Sequence, residues 1–179
     1  MAESPYLIRF IQLPAGYHEF SFRIEDSFFG DRENSIIQKA DIQVSAGLLK
    51  GSGTMQLDLV MEGEVVVDSV RCLESFVLPV SFEKHLVVRM VDHPENEDDD
   101  DDAIHIAKTA HDIELSNTLY DFISLEVPYN PVHPEDENGV DGCDPEVLKH
   151  LKKAEEDRQN EEKSPEDGRW AELKKIKLN

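Results

Sequence analysis

The stretch that decides the fold is DIQVSAGLL-KGSG-TMQLDLVMEGEVVVD, residues 41–68. In its first arm Ile42, Val44, Ala46 and Leu48 share one parity. In its second arm Met55, Leu57, Leu59, Met61, Val65 and Val67 share one parity. Gln56, Asp58, Glu62 and Glu64 take the other parity, with Val60 and Val66 among them. Side chains alternate across a strand, so this pattern predicts a long antiparallel hairpin that turns at 50–53. One of its faces is apolar and the other is solvated. Gly63, in mid-strand, predicts a bulge or a bend.

Working outward, YLIRFIQLP (6–14) and YHEFSFRIE (17–25) read as two strands joined at Pro14 and Gly16. The segment 26–34 reads as a loop with an aromatic pair. Two further strands are predicted at 71–80 and 85–91, giving five or six in all, enough to bury a core. The run DHPENEDDDDD (92–102) reads as a solvated loop. In 112–127, Leu115, Leu119, Phe122 and Ile123 recur with the helical period, with Asp112 as N-cap. Pro128 and Pro131 stop that helix. A loop follows at 131–143, then an exposed helix at 144–159 with Asp144 as cap and Pro145 at its first position. In RWAELKKIK (169–177) Trp170, Leu173 and Ile176 form one apolar stripe while the lysines face away.

The fold class is therefore α+β: an antiparallel, curved sheet in the N-terminal half, followed by helices and an acidic flexible tail. Residues 1–130 form a single α+β domain carrying the acidic loop. Residues 131–168 form an acidic loop and exposed helix, partly flexible, and 169–179 a short basic amphipathic helix.

Charge narrows the function. The 179 residues include 39 acidic and 18 basic side chains, a formal charge of −21. Residues 92–102 and 134–168 contribute −8 each, whereas the last eleven carry +3. Such a field repels phosphate backbones and attracts basic partners. The N-terminus has no basic and apolar leader pattern, and no segment reaches the apolar length of a membrane span. A cytoplasmic protein is expected, with Cys72 and Cys143 as free thiols.

Those two cysteines carry most of the chemistry available. A zinc site needs about four ligands, usually including a close pair such as CxxC. Ser69 stands three residues before Cys72, so no CxxC exists. A site of Cys72, Cys143, His133 and one more ligand is conceivable; two isolated structural thiols are the alternative. A nucleophilic Cys72 needs a nearby base and a depressed pKa. Arg71, its neighbour in a predicted strand, points to the opposite face, as a partner-facing or salt-bridging cation. Cys72 is then a buried thiol. The seven histidines show no HxH or HExxH pattern, and no P-loop, GxGxxG or GxSxG occurs. No catalytic residue, metal ligand or cofactor is assigned. Trp170 either docks back on the sheet or anchors a partner.

Order and spacing of short landmarks suggest a family. Arg71-Cys72-Leu73 precedes the proline-bearing VLPV (77–80), then come an acidic loop, a helix ending at Pro128, and the RWxxLKxLK-like segment at 169–177. This chain resembles the YceD family, the large ribosomal RNA subunit accumulation proteins, along nearly its whole length. Many members carry CxRC where this chain has Ser69-Val70-Arg71-Cys72. The resemblance implies a cytoplasmic, non-enzymatic factor supporting large-subunit RNA accumulation and assembly. Its expected partner is a ribosomal protein or a large-subunit assembly intermediate. Ribosomal RNA is contacted directly or indirectly, with no membrane involved, and the protein acts as a monomer. Arg71, Cys72, Arg169, Trp170, Leu173, Lys174, Lys175 and Lys177 are the candidate partner-binding residues. The rival readings are a small metal- or thiol-dependent enzyme and a regulatory adaptor unrelated to ribosomes.

Overall fold

The structure is a computed structural model, and it describes residues 4–30, 32, 35–51, 53–94, 102–134 and 142–162. The strands are β1 (Leu7–Ile8), β2 (Gly16–Ile24), β3 (Ile37–Lys50), β4 (Met55–Asp68), β5 (Ser75–Val91), β6 (Ala103–Ala107) and β7 (Ile113–Glu114). The helices are α1 (Asp26–Gly30), α2 (Ser116–Glu126) and α3 (Pro145–Glu162), with a 3-10 turn at Phe10–Gln12. A five-stranded sheet runs β2-β3-β4-β5-β6, and β1 pairs with β7 in a small second sheet. The fold is α+β, as the sequence predicts. The chain divides into two compact units, residues 1–68 with 75–131 and residues 69–74 with 132–179.

The first unit is built on the predicted hairpin. Val44 lies opposite Met61, Ala46 opposite Leu59 and Leu48 opposite Leu57. On the next strand Leu86 faces Leu57 and Val88 faces Met55. Every one of these side chains is buried, while Gln56, Glu62 and Glu64 are exposed. Each such burial of a valine, leucine or methionine stabilises the fold by about 1.5–3 kcal/mol, and that of Ala46 by less. Ile8, Phe29, Ile113, Leu115, Leu119 and Ile123 belong to the same apolar cluster, so β1, α1, β7 and α2 complete the core of this unit.

Several expectations are corrected. The strands placed at 71–80 and 85–91 are one continuous strand, β5, that begins only at Ser75. Pro79 does not break it, because residues 75–86 are paired with β4 on one side and β6 begins its pairing at Val87. A missing N–H is tolerated on such an open edge. Residues 6–14 hold a two-residue strand and a 3-10 turn in place of one long strand. The expected loop at 26–34 contains α1. β6 was not foreseen and runs parallel to β5. Of the expected loop at 92–102, residues 95–101 lie outside the described residues. Its ends are tied where Val87 N–H donates to the Asp102 carbonyl at 2.8 Å and Lys108 Nζ meets Asp92 at 2.7 Å.

Gly63 is neither bulge nor bend. The β3–β4 register runs unbroken through it, opposite Ile42, and the irregularity lies between Ile37 and Lys39. A Cβ at 63 would sit 2.7 Å from the Ile42 Cα and collide with the Asp41 carbonyl, so the position needs close backbone approach. The helix expected from Asp112 begins later. Leu115 is its N-cap position, and the Glu114 carboxylate accepts from the Ser116 N–H at 2.7 Å. Propensity placed the cap too early because Ile113 and Glu114 are claimed by pairing with β1.

Candidate functional site

The candidate site lies in the second unit and starts from the turn between β4 and β5. Ser69 N–H donates to the Glu74 carbonyl at 2.9 Å, and Leu73 N–H donates to the Ser69 carbonyl at 2.8 Å. Arg71 N–H donates to Ser69 Oγ at 3.3 Å. The turn thus closes on itself through the backbone. Ser69 is fully buried and Cys72 half-buried, while Arg71 and Leu73 are exposed. Leu73 has φ 62°, the left-handed region that costs a branched residue about 1–2 kcal/mol. That conformation turns the chain so that the Glu74 N–H reaches the Cys72 sulfur.

The second segment brings His133 and Cys143 to the same place. Cys72 Sγ lies 3.3 Å from His133 Nδ1. Ser69 Oγ lies 4.0 Å from Cys143 Sγ, and Cys143 is 3% exposed. The donor atoms of Cys72, His133 and Cys143 all fall within 4.8 Å of one another. Gly142 makes this approach feasible: a Cβ there would stand 3.0 Å from both the His133 Cβ and the Pro134 carbonyl oxygen.

Electrostatics at Cys72 favour the thiolate. Burial pushes its thiol up, but hydrogen bonds from the Ser69 hydroxyl, the Glu74 N–H and the Cys143 thiol outweigh that, and it titrates below the ordinary cysteine range. The Glu74 carboxylate opposes the shift. Two sulfurs and an imidazole in this arrangement can ligate a soft divalent cation, exchange with a disulfide, or share a proton. The open depressions of the first unit, one lined by Tyr17, Gly47 and Asp58 and one by Tyr6, Phe28 and Arg32, contain none of these groups.

Two sequence expectations change here. Arg71 and Cys72 were placed on opposite faces of a strand, but they sit in a turn, where strand alternation does not apply. Cys72 was expected buried and is half-exposed. The conceivable grouping of Cys72, Cys143 and His133 is realised in space. The buried Ser69 hydroxyl joins this cluster, a place the sequence reading does not give it. No local signal marks it, since the left-handed Leu73 that shapes the turn is invisible in a residue pattern. Arg169, Trp170, Leu173, Lys174, Lys175 and Lys177 lie outside the described residues.

An α+β chain with an antiparallel hairpin sheet and a separate cysteine–histidine cluster is the class that fold and site define. The sequence model of the family described as large ribosomal RNA subunit accumulation protein YceD matches residues 57–177. The chain belongs to the YceD family. No curated protein and no solved structure matches the chain. Among the described residues, no helix is long and apolar enough to cross a membrane.

Proposed function

We propose that this protein is a non-enzymatic, cytoplasmic factor in large-subunit biogenesis that shields a basic ribosomal protein and passes it to ribosomal RNA. The family description supplies the link to large-subunit RNA. The observation that carries the mechanism is the segregation of charge. Residues 92–102 and 134–168 together hold most of the formal charge of −21, outside the strands of the hairpin. Crowded carboxylates offer a basic protein an electrostatic substitute for phosphates, with affinity that falls as salt rises. Exposed Arg71 and the basic residues Arg169, Lys174, Lys175 and Lys177, with Trp170 and Leu173, are proposed as the second contact, toward nascent RNA or an assembly intermediate. The protein acts as a monomer in this scheme.

The test is equilibrium binding to purified large-subunit ribosomal proteins at two ionic strengths. The variants carry Asp→Asn and Glu→Gln changes at 97–102 and at the acids of 155–162. Those changes leave the β-hairpin and the cysteine cluster intact. The expected result is a weaker, less salt-dependent complex. Unchanged affinity and salt slope would overturn the shielding mechanism.

A further inference from the structure

We propose that the depression on the open face of the sheet, beside Tyr17 and Gly47, binds an arginine side chain presented by a basic polypeptide. The inference rests on the shielding reading for the class of partner, and it gives that partner a defined contact on the folded sheet.

The floor of the depression is a glycine. Strands β2, β3 and β4 turn Tyr17, Glu19, Ser45, Gly47, Asp58 and Val60 to the face opposite the core. Gly47 stands between Glu19 and Asp58 in one cross-strand row and adds no side chain there. The Tyr17 ring leans over it. A Cβ at 47 would be 2.9 Å from the ring carbons Cε2 and Cζ and closer still to the hydroxyl. An aromatic ring laid across a strand glycine covers exposed backbone. Tyr17 is nevertheless 57% exposed, so the ring keeps a surface for a second partner. The depression measures about 370 Å³ and has Val60 on its border, within the size range of pockets that hold small ligand groups.

The walls carry charge of one sign. Glu19 is exposed on β2. Asp58 is about half exposed, and its Oδ1 is bonded to His85 at 2.8 Å, which leaves a second oxygen to accept from a ligand. Glu83 lies opposite Val60, and Glu62 follows one row further along. Arg23, the cation of β2 on this face, does not offset these acids, because Asp41 holds it through two bonds of 2.8 and 2.9 Å. His85, when protonated, is the cation nearest to Asp58.

An exposed aromatic face between two carboxylates defines the guest. A guanidinium is planar, stacks on an aromatic ring, and donates to carboxylates through a fixed fork of N–H groups. An ammonium offers a point charge and a tighter hydration shell, so it uses the ring and the carboxylates less well. The methylene stem of an arginine packs on Val60, and the Ser45 hydroxyl can accept a remaining N–H. The same field opposes a phosphate at this place.

The experiment records amide NMR spectra of the full isotope-labelled chain, under reducing conditions, during titration with three peptides. Each is a short glycine–serine peptide carrying one arginine, one lysine or one citrulline. The expected result is saturable shifts at Ser45, Gly47 and Asp58 with the arginine peptide, weaker binding of the lysine peptide, and none of the citrulline peptide, which keeps the shape and loses the charge. Tyr17→Leu still covers Gly47 and should weaken arginine binding by about two- to fivefold, the worth of an exposed cation–π contact. Asp58→Asn should weaken it by about tenfold. Val60→Lys should abolish it, and this exposed substitution decides the matter if Tyr17→Leu unfolds the sheet. Equal binding of arginine and lysine, shifts confined to residues outside the depression, or unchanged affinity in Val60→Lys would overturn the proposal. So would concentration-dependent shifts at the same residues without peptide, since a second copy of the chain would then cover the face. The charge-neutralised variants that test shielding retain this depression, so failure of the one reading is distinguishable from failure of the other.

Discussion

At the scale of single residues, the structure turns on positions whose constraint is steric or electrostatic. Gly63→Ala would drive a Cβ into the backbone of β3, which cannot swing aside as a side chain can. A loss of about 1–3 kcal/mol or more is expected, seen as a lower denaturant midpoint. Gly47→Ala should cost less, because the obstacle there is the ring of Tyr17, which is largely exposed and can move. Leu73→Gly should relieve left-handed strain of about 1–2 kcal/mol against the roughly 0.5–1 kcal/mol of chain entropy that glycine loses. A small gain in thermal midpoint is the expected outcome. His85 lies opposite Asp58 on paired strands, 2.8 Å away, and that hydrogen bond raises its pKa above the ordinary histidine value. The pair therefore contributes stability fully below the unfolded histidine pKa and loses it as pH rises through the raised one. A proton-resonance titration of His85 checks this: Asp58→Asn should bring the midpoint back down. Asp41 works in the opposite sense. Its bidentate bond with Arg23 holds it low, so that contribution is lost as pH falls through the depressed value. The sequence showed none of these pairs, because cross-strand neighbours depend on register.

At the scale of elements, the hairpin was legible because its apolar residues keep strict parity over two long strands. Ile42 through Leu48 and Met55 through Val67 are buried as that parity requires. α2 was legible for the same reason, with Leu115, Leu119 and Ile123 buried. Leu119→Ala should therefore cost about 2–5 kcal/mol, measurable by denaturant unfolding. Where parity is short or shared, the reading failed. β1 and β7 hold two residues each and exist only by pairing with one another. β6 is half-buried along most of its length and carries no alternation to read. β5 is divided in the sequence reading at 81–84, where Ser81, Glu83 and Lys84 interrupt the apolar run, although pairing with β4 continues through those residues. The turn at 69–74 was absorbed into that strand, and with it went the correct view of Cys72.

At the scale of the whole molecule, the excess charge and the apolar framework occupy different parts of the chain. The strands of the hairpin carry the core, while 92–102 and 134–168 carry the acids. That separation was readable from composition alone. The cluster of Cys72, His133 and Cys143 was half readable: the residue types were visible, but their meeting across 61 positions required the fold. Charge and family together give the central claim, a role in accumulating large-subunit RNA. The measurement that tests it most directly is the ratio of large- to small-subunit ribosomal RNA in growing cells depleted of this protein. The account expects that ratio to fall, and expects the wild-type chain to restore it where the charge-neutralised variant restores it poorly. An unchanged ratio on depletion would contradict the account.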